Sequence, residues 1–494
     1  MLPLEKIFMF SVAMPQRAAV VSGEGALTWQ ELYLKSQTCI QYIYQRFHGG
    51  TPRRACIVSP NRVDLIPWMA ALSSLGVPAI GLDYSLPSQT IQQYIFELKV
   101  DIVLFSRTNF LNNFENTAFE SHSVACIDLD KTSSWIGTDI ERVINLEKLI
   151  ASRPEFRSIG LTSGTSGNPK VVVRTRSFDQ QRFKFFTEKY DFGAHDRFLV
   201  SLPLYHAAGN GWARMFMSLG ATIYLASSAS PVALTDTLTR QKITATVMTP
   251  PLLDGVLDRL DESVDDHAKL DLRWLLIGGK HFAAPQKIRA LKRLGMVVHE
   301  YYGTTETGVN TIAQPEDLLR TPTSVGRIFE GNSIAIINPE GNELAPYEIG
   351  AVAVSSYMNM DHYGDGSSNS VQLGGKRFLI TPDQGYLDVE GRLYLTNRAA
   401  NAADETPIYL LEDEIRMLPC VRDVALLPRA GAALDCAIVL RKTTVDVQHV
   451  LNSVRELISH RQLSLGDCRL LSAIPYSLTG KIRTSELQSI FSTQ

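Results

Sequence analysis

The feature that constrains this chain most is an alternation of short β-rich runs with longer stretches whose apolar residues recur at helical spacing. β-rich runs occupy residues 55–58, 78–82, 101–106 and 124–129, with helical stretches at 63–75 and 89–98. The pattern resumes with β-rich runs at 222–226, 244–248, 274–277 and 296–299 and helical stretches at 231–240 and 285–294. Strands separated by helices imply crossover connections and a largely parallel sheet covered on both faces, so the expected fold class is α/β. After residue 324 the texture changes. Short strands at 334–337, 351–354 and 378–381, with Gly, Asn and Pro between them, predict a smaller β-rich subdomain. A boundary falls at 397–401. Beyond it come a helix (411–418), strands (423–427 and 436–440), a helix (445–460) and a strand (469–474), which make a compact α+β domain. The expected division is a large N-terminal domain with mixed sheets (1–396), a hinge (397–401) and a small C-terminal domain (402–494).

Composition narrows the function. Apolar residues are 45% and charged residues 20% of the 494, and net charge is −3. Such a chain has a large core and no basic field for nucleic acid or anionic membranes, so neither is an expected partner. The six cysteines form no CxxC pair and mostly sit in apolar runs, which predicts buried thiols and a cytoplasmic protein. An apolar stretch at 7–14 follows Glu5 and Lys6 without a clear cleavage site, so it is not read as a secretion signal. No segment approaches the length of a membrane span.

The strongest local motif is Leu161-Thr162-Ser163-Gly164-Thr165-Ser166-Gly167-Asn168-Pro169-Lys170. Its glycines let backbone N–H groups converge, its hydroxyls add donors and Lys170 adds positive charge, as a phosphate cradle requires. It lacks Walker A spacing. From composition alone a polar surface loop is an equal alternative.

Further motifs follow in order. Pro15 and Ala18 precede Leu27-Thr28-Trp29 and Glu31-Leu32. Then come Pro203-Leu204-Tyr205-His206, Tyr302-Gly303-Thr304-Thr305-Glu306, Thr381-Pro382-Asp383 and Gly480-Lys481 with Arg483. Together with the cradle segment they resemble the adenylate-forming superfamily: acyl- and aryl-CoA ligases, peptide-synthetase adenylation domains and luciferase. The resemblance spans nearly the whole chain. It implies ATP and Mg²⁺ as cofactors, with a mobile C-terminal domain. Thr162, Ser163, Gly164, Thr165, Ser166, Gly167 and Lys170 would cradle phosphate, and Thr305 would donate to the α-phosphate. Tyr302 would stack on the adenine, Asp383 and Arg398 would reach the ribose, and Gly278, Gly303 and Thr304 would also belong to the nucleotide site. Glu306 would be the metal ligand, a hard oxygen donor suited to Mg²⁺. Lys481 would carry the adenylation step by neutralising charge as a carboxylate attacks the α-phosphate. His206 would act near the chemistry and line the acid pocket with Trp212, Met215 and Gly279. Pro382 stands where the family has glycine, which puts the loop shape in doubt.

Residues 198–223 include no Asp or Glu, where amino-acid-activating relatives usually place an aspartate. A charge-free pocket beside Trp212, Met215 and Phe216 suits an apolar or aromatic acid. The hinge reads Asn397-Arg398-Ala399-Ala400, and the next segment, Asn401-Ala402-Ala403-Asp404-Glu405-Thr406-Pro407, lacks the family's glycine loop. The adenylation residues are intact while those of the second half-reaction are altered. The expected function is an ATP-dependent ligase that forms an acyl-AMP from a small non-amino carboxylic acid. The acyl group then passes to a CoA or carrier-protein phosphopantetheine thiol, with free CoA a poor acceptor. The alternatives are an amide ligase and a nucleotide-binding protein without turnover.

Overall fold

The computed structural model describes residues 1–106, 124–132, 144–162, 170–226, 230–262, 270–398, 408–429, 433–441, 447–477, 480 and 482–492. Parallel strands covered on both faces must be apolar along their whole length. Thr222–Leu225, Ala245–Met248 and Trp274–Ile277 are buried at every residue. They lie in a sheet of nine described strands. From one edge the order runs Arg327–Ile328, Gly308–Ala313, Val298–Thr304, Trp274–Ile277, Ala245–Met248, Arg197–Val200, Thr222–Leu225, Ala18–Ser22 and Gly25–Thr28. The interior pairings are parallel and both edges turn antiparallel. A second sheet, Ala79–Gly81, Ala55–Val58, Ile102–Phe105 and Ala125–Asp128, is wholly parallel. The four strands of this second sheet, with Thr222–Leu225, Ala245–Met248 and Trp274–Ile277 of the first, are ones the alternation predicts. The run expected at 296–299 continues as Val298–Thr304, which carries Tyr302-Gly303-Thr304 to the carboxyl end of a parallel strand. Open α/β sheets place their ligands in the crevice beyond those ends.

The Thr28-Trp29 segment gains a local meaning. Thr28 caps the helix Trp29–Arg46: its hydroxyl accepts from the Glu31 N–H at 3.1 Å, and the Thr28 N–H donates to the Glu31 carboxylate at 2.8 Å. This reciprocal capping box fixes the helix start and buries Trp29 completely. The apolar stretch near the N-terminus is a helix, Leu4–Ala13, whose Leu4 and Ile7 are fully buried in the main core.

Two smaller sheets complete the large domain. Ser158–Leu161 and Val171–Arg174 pair antiparallel and take His362–Tyr363 as a third strand. The β-rich subdomain is an antiparallel sheet of Ser333–Ile337, Gly350–Ser355, Lys376–Leu387, Ser370–Leu373 and Leu393–Arg398. The doubt over Pro382 has a structural answer. It lies inside the strand Lys376–Leu387, opposite a register break between Ala351 and Ala353. A proline has no N–H for a ladder, and an irregularity is where a sheet tolerates one.

The C-terminal unit contains the helices Ile408–Arg416 and Val447–Ser459 against a sheet of Val421–Arg429, Ala433–Leu440 and Ser464–Leu470. Its last strand corrects the expectation at 469–474. Leu463, Leu465 and Cys468 turn toward this unit's core, whereas Leu471 and Ile474 join a separate cluster with Leu487. Side-chain pattern along Ser464–Leu470 decided the strand, not the apolar density that follows it. Among the described residues no helix is long and apolar enough to cross a membrane.

Candidate functional site

Three of the expected nucleotide residues meet at the rim of the nine-stranded sheet. The Tyr302 hydroxyl donates to the Asp383 carboxylate at 2.7 Å and lies 3.2 Å from the Thr381 hydroxyl. Asp383 is in turn the cross-strand partner of Arg398. One backbone ladder and one hydrogen bond thus gather the residues expected at adenine and ribose. Gly303 is held to glycine by close approach, since a Cβ there would fall 2.1 Å from the Gly308 carbonyl oxygen.

The phosphate end assembles around Glu306. The cradle residues Ser163, Gly164, Thr165, Ser166 and Gly167 lie outside the described residues, but the two ends of their loop are tied together. The Thr162 N–H donates to the Lys170 carbonyl at 2.9 Å, and the Lys170 N–H to the Thr162 hydroxyl at 3.3 Å. Tyr363, absent from the expected site, stands between Lys170 and Glu306. Its hydroxyl donates to the Glu306 carboxylate at 3.2 Å, and the Lys170 ammonium sits 5.0 Å from its ring centroid. Burial, reinforced by the Glu306 charge, pushes the Tyr363 hydroxyl up to about 12, so it stays a donor. Arg174, also unexpected, donates from Nη2 to the Thr305 carbonyl and from Nε to the Met358 carbonyl at 3.0 Å. Burial pulls its guanidinium down to about 10, with Glu306 opposing. Both residues sit on the small sheet that frames the cradle loop, and that position is their one sequence signal.

Mg²⁺ is tested against this donor set. Among the described residues no group of three or more His, Cys, Asp or Glu could cage a metal. Mg²⁺ bound with a nucleotide needs one or two carboxylates, the remaining ligands being phosphates and water. Glu306, oriented by the Tyr363 hydroxyl beside the Thr304 and Thr305 segment, fits that requirement.

The C-terminal unit docks across the crevice. Lys481 lies outside the described residues, yet its neighbour Gly480 packs on Thr249, at the carboxyl end of Ala245–Met248. A Cβ on Gly480 would stand 2.8 Å from Thr249 Cβ and 2.8 Å from its hydroxyl oxygen. The junction is polar and interlocked. Lys280 donates to the Tyr476 hydroxyl, which donates to Asp423. His281 meets Asp413 at 2.7 Å, Arg422 meets Asp258 at 2.7 Å, and Arg483 donates to Ser85 at 2.7 Å. Burial here pulls the Lys280 ammonium down to about 8 against the attraction of Asp423, and raises the Asp254 carboxyl to about 6. The expected hinge is described only through Arg398, so Ala399, Ala400 and the segment 401–407 lie outside the described residues.

The acid side differs from expectation at Met215 and in its charge. His206 caps the helix Ala207–Ser218, its Nδ1 accepting from the Ala208 N–H at 3.3 Å. Met215 is fully buried in the main core, and on one face Trp212 packs a hollow with Phe198, Val200 and Val247 too tight for a water molecule. Met215 is thus a packing residue, pointed into the core by its place on the helix. Gly278 and Gly279 are brought near the site. A Cβ on Gly278 would strike the Tyr301 ring at 2.3 Å, and Gly279 has φ +83°. The charge-free pocket is also corrected. The helix Asp179–Tyr190 sends Arg182 over the Trp212 ring at 5.5 Å, and Arg214 pairs with Asp179 at 2.8 Å. The segment 198–223 carries no acid, but a neighbouring helix supplies charge that the segment alone does not reveal.

A sequence model of the AMP-binding enzyme family matches residues 10–363, most of the chain and all of the motifs up to Glu306. The chain belongs to the AMP-binding enzyme family. As such it is an ATP-dependent ligase of the acyl-adenylate-forming kind. This AMP-binding enzyme is 24% identical over 464 residues to indoleacetate–CoA ligase of Aromatoleum aromaticum, with 90% of this chain and 89% of that one covered. It is 26% identical over 392 residues to 2-succinylbenzoate–CoA ligase of Bacillus subtilis, with 78% and 76% covered. Its fold superposes on amide bond synthetase McbA from Marinactinospora thermotolerans with a TM-score of 0.78, at 21% identity and 99% coverage of both chains.

Proposed function

We propose that this enzyme activates a small, non-amino carboxylic acid as an acyl-AMP and passes the acyl group to a pantetheine thiol. The observation that supports the reading is Gly480, the neighbour of Lys481 in sequence, seated on Thr249 at the carboxyl end of Ala245–Met248, in the same sheet as the Val298–Thr304 strand that carries Tyr302. In the first step a carboxylate oxygen attacks the α-phosphorus, and the bond from that phosphorus to the bridging oxygen breaks. Pyrophosphate leaves with the electron pair. Asp383 and Tyr302 hold the nucleoside, and the residue 162–170 loop holds the phosphates. Lys481 neutralises the charge that gathers as two anions meet, a contribution largest in the transition state. Glu306 would hold Mg²⁺, which when bound would supply charge neutralisation at the phosphates. In the second step a thiol sulfur attacks the acyl carbonyl, the bond to AMP oxygen breaks, and AMP departs as the thiol proton is released. Residues 402–494 act as the lid that moves between the steps.

A second reading, transfer to an amine, is favoured by one feature. The segment Asn401-Ala402-Ala403-Asp404-Glu405-Thr406-Pro407 carries two acids and a proline where a glycine would let the pantetheine arm approach closely. An acidic, stiffened segment also repels the phosphates of CoA. The test pre-forms acyl-AMP and follows its loss with free CoA, a phosphopantetheinylated carrier protein and amines. Thioester on the carrier supports the proposal, amide product supports the second reading, and acyl-AMP inert toward every thiol overturns thiol transfer.

A further inference from the structure

Cys436 and Cys468 are free thiols in the C-terminal unit. They are cross-strand partners, Cys436 on the central strand Ala433–Leu440 and Cys468 on its parallel neighbour Ser464–Leu470. Side chains alternate between the two faces of a strand, and Leu434, Cys436 and Ile438 face one core of this unit. Leu465 lies opposite Leu434 and packs on the same core, so regular pairing would set Asp467, not Cys468, against Cys436. A register shift intervenes between Leu434 and Cys436. The extra residue is a bulge, and it returns Cys468 to the core face, opposite Cys436.

Specific contacts hold the bulge. The Asp467 N–H donates to Oδ1 of the buried Asp435 at 2.8 Å, and Arg429 donates to the same oxygen at 3.1 Å. Gly466 leaves room for this, since a Cβ there would fall 2.6 Å from that oxygen. Adjacent strands run about 4.8 Å apart, within the span of about 4.4–6.8 Å between Cα atoms that a disulfide bridges. The two thiols are unequal. Cys436 is fully buried, and its hydrogen bond with Cys468, followed by burial, raises it well above the ordinary thiol value. Cys468 is partly exposed, and the same hydrogen bond lowers it, with help from Arg455 on the helix Val447–Ser459. One sulfur is reachable and closer to thiolate, while the other is sheltered and touches the first. That division is what an attacking and a resolving cysteine require.

We propose that Cys436 and Cys468 form a redox-modification site, closing reversibly to a disulfide that staples these two strands when the enzyme meets hydrogen peroxide. The Cys468 sulfur attacks a peroxide oxygen. An S–O bond forms, the O–O bond breaks, and water leaves with the Cys468 proton. The Cys436 sulfur then attacks the Cys468 sulfur. The S–S bond forms, the S–O bond breaks, and the hydroxyl leaves as water with the Cys436 proton. The sulfur pair loses two electrons and the peroxide gains them. A dithiol reverses the step by exchange. Ser464–Leu470 is the last described strand before Gly480, so the staple fixes the point from which that segment leaves the sheet.

The experiment treats the whole chain with a small excess of hydrogen peroxide, blocks the remaining thiols and maps the peptides by mass spectrometry without reductant. The expected product is a cross-link from Cys436 to Cys468, two hydrogens lighter than the reduced pair and lost on adding dithiothreitol. In Cys436→Ser the expected product is a sulfenic acid at Cys468, trapped by dimedone. In Cys468→Ser the Cys436 thiol should stay unmodified. Trypsin cleavage within the C-terminal unit should slow by about tenfold or more in the cross-linked enzyme, because the bond closes a loop of about 30 residues and restricts the opened chain. Oxidation of Cys126 or Cys420, which are also partly exposed, ahead of this pair would overturn the proposal. So would Cys468 passing to sulfinic acid while Cys436 remains a thiol. A cross-link that leaves cleavage unchanged would overturn the stapling role.

Discussion

Replacing Gly480 by alanine should disable adenylation while leaving the large domain intact. Two costs follow from the geometry. Gly480 has φ +78°, a left-handed conformation that costs a residue with a Cβ about 1–2 kcal/mol. The new Cβ would also lie 2.8 Å from Thr249 Cβ and 2.9 Å from Cγ2, an overlap worth about 1–3 kcal/mol in a packed contact. Both penalties fall on the docked arrangement, since the loop relaxes once it leaves Thr249. Their sum, about 2–5 kcal/mol, lowers the docked population about 30-fold or more. Acid-dependent ATP–pyrophosphate exchange should fall by that factor, with ATP binding unchanged and with no loss in transfer from pre-formed acyl-AMP. Thr249→Gly in the same chain removes the overlap but not the backbone strain, so it should recover about 1–3 kcal/mol. Exchange within about twofold of the native rate in Gly480→Ala would refute the view that Gly480 on Thr249 is the arrangement in which the first step occurs.

Glu306→Gln should raise the Mg²⁺ concentration needed for half-maximal exchange, because a charged oxygen ligand becomes neutral; an unchanged titration would remove Glu306 from the metal. Stability should also depend on pH through His299, which is buried, donates from Nδ1 to the Val297 carbonyl at 2.9 Å, and is pulled by desolvation to about 4 from 6.5. The unfolded chain then binds more protons between these values, so stability is fully present above about 6.5 and falls as pH drops toward 4, by about 3 kcal/mol at most. Urea unfolding of native and His299→Phe proteins at both ends of that window should show this loss in the native protein alone; parallel curves would contradict it.

Much of the fold was legible because parallel strands announce themselves. Trp274–Ile277 and Ala55–Val58 are uninterrupted apolar runs, and no other secondary structure accounts for them between helical stretches. The last strand was misplaced because its inward residues Leu465 and Cys468 are interspersed with Ser464, Gly466 and Asp467, a weaker signal than the apolar run after it. The nucleotide residues were legible through resemblance: Tyr302, Asp383 and Glu306 read alone are a turn and two surface acids. Tyr363 and Arg174 were missed because they act across the chain, Arg174 on Thr305 and Tyr363 on Glu306, through the long-range pairing of His362–Tyr363 with Val171–Arg174, which no local pattern encodes. Arg182 was hidden for a different reason. The helix Asp179–Tyr190 is rich in charged and polar residues, so an arginine in it reads as solvated, and only packing reveals that Arg182 and Phe186 face inward together.

The central claim is that this AMP-binding enzyme forms an acyl-AMP with Lys481 at the reacting phosphate. It is tested most directly by ATP–pyrophosphate exchange over a panel of aryl acids, dicarboxylates and amino acids, with native enzyme and Lys481→Ala side by side. The account predicts exchange that requires an acid without an α-ammonium group, and a Lys481→Ala enzyme that binds ATP normally but loses kcat with little change in KM. Exchange independent of any acid, or a Lys481→Ala enzyme that exchanges at the native rate, would contradict it.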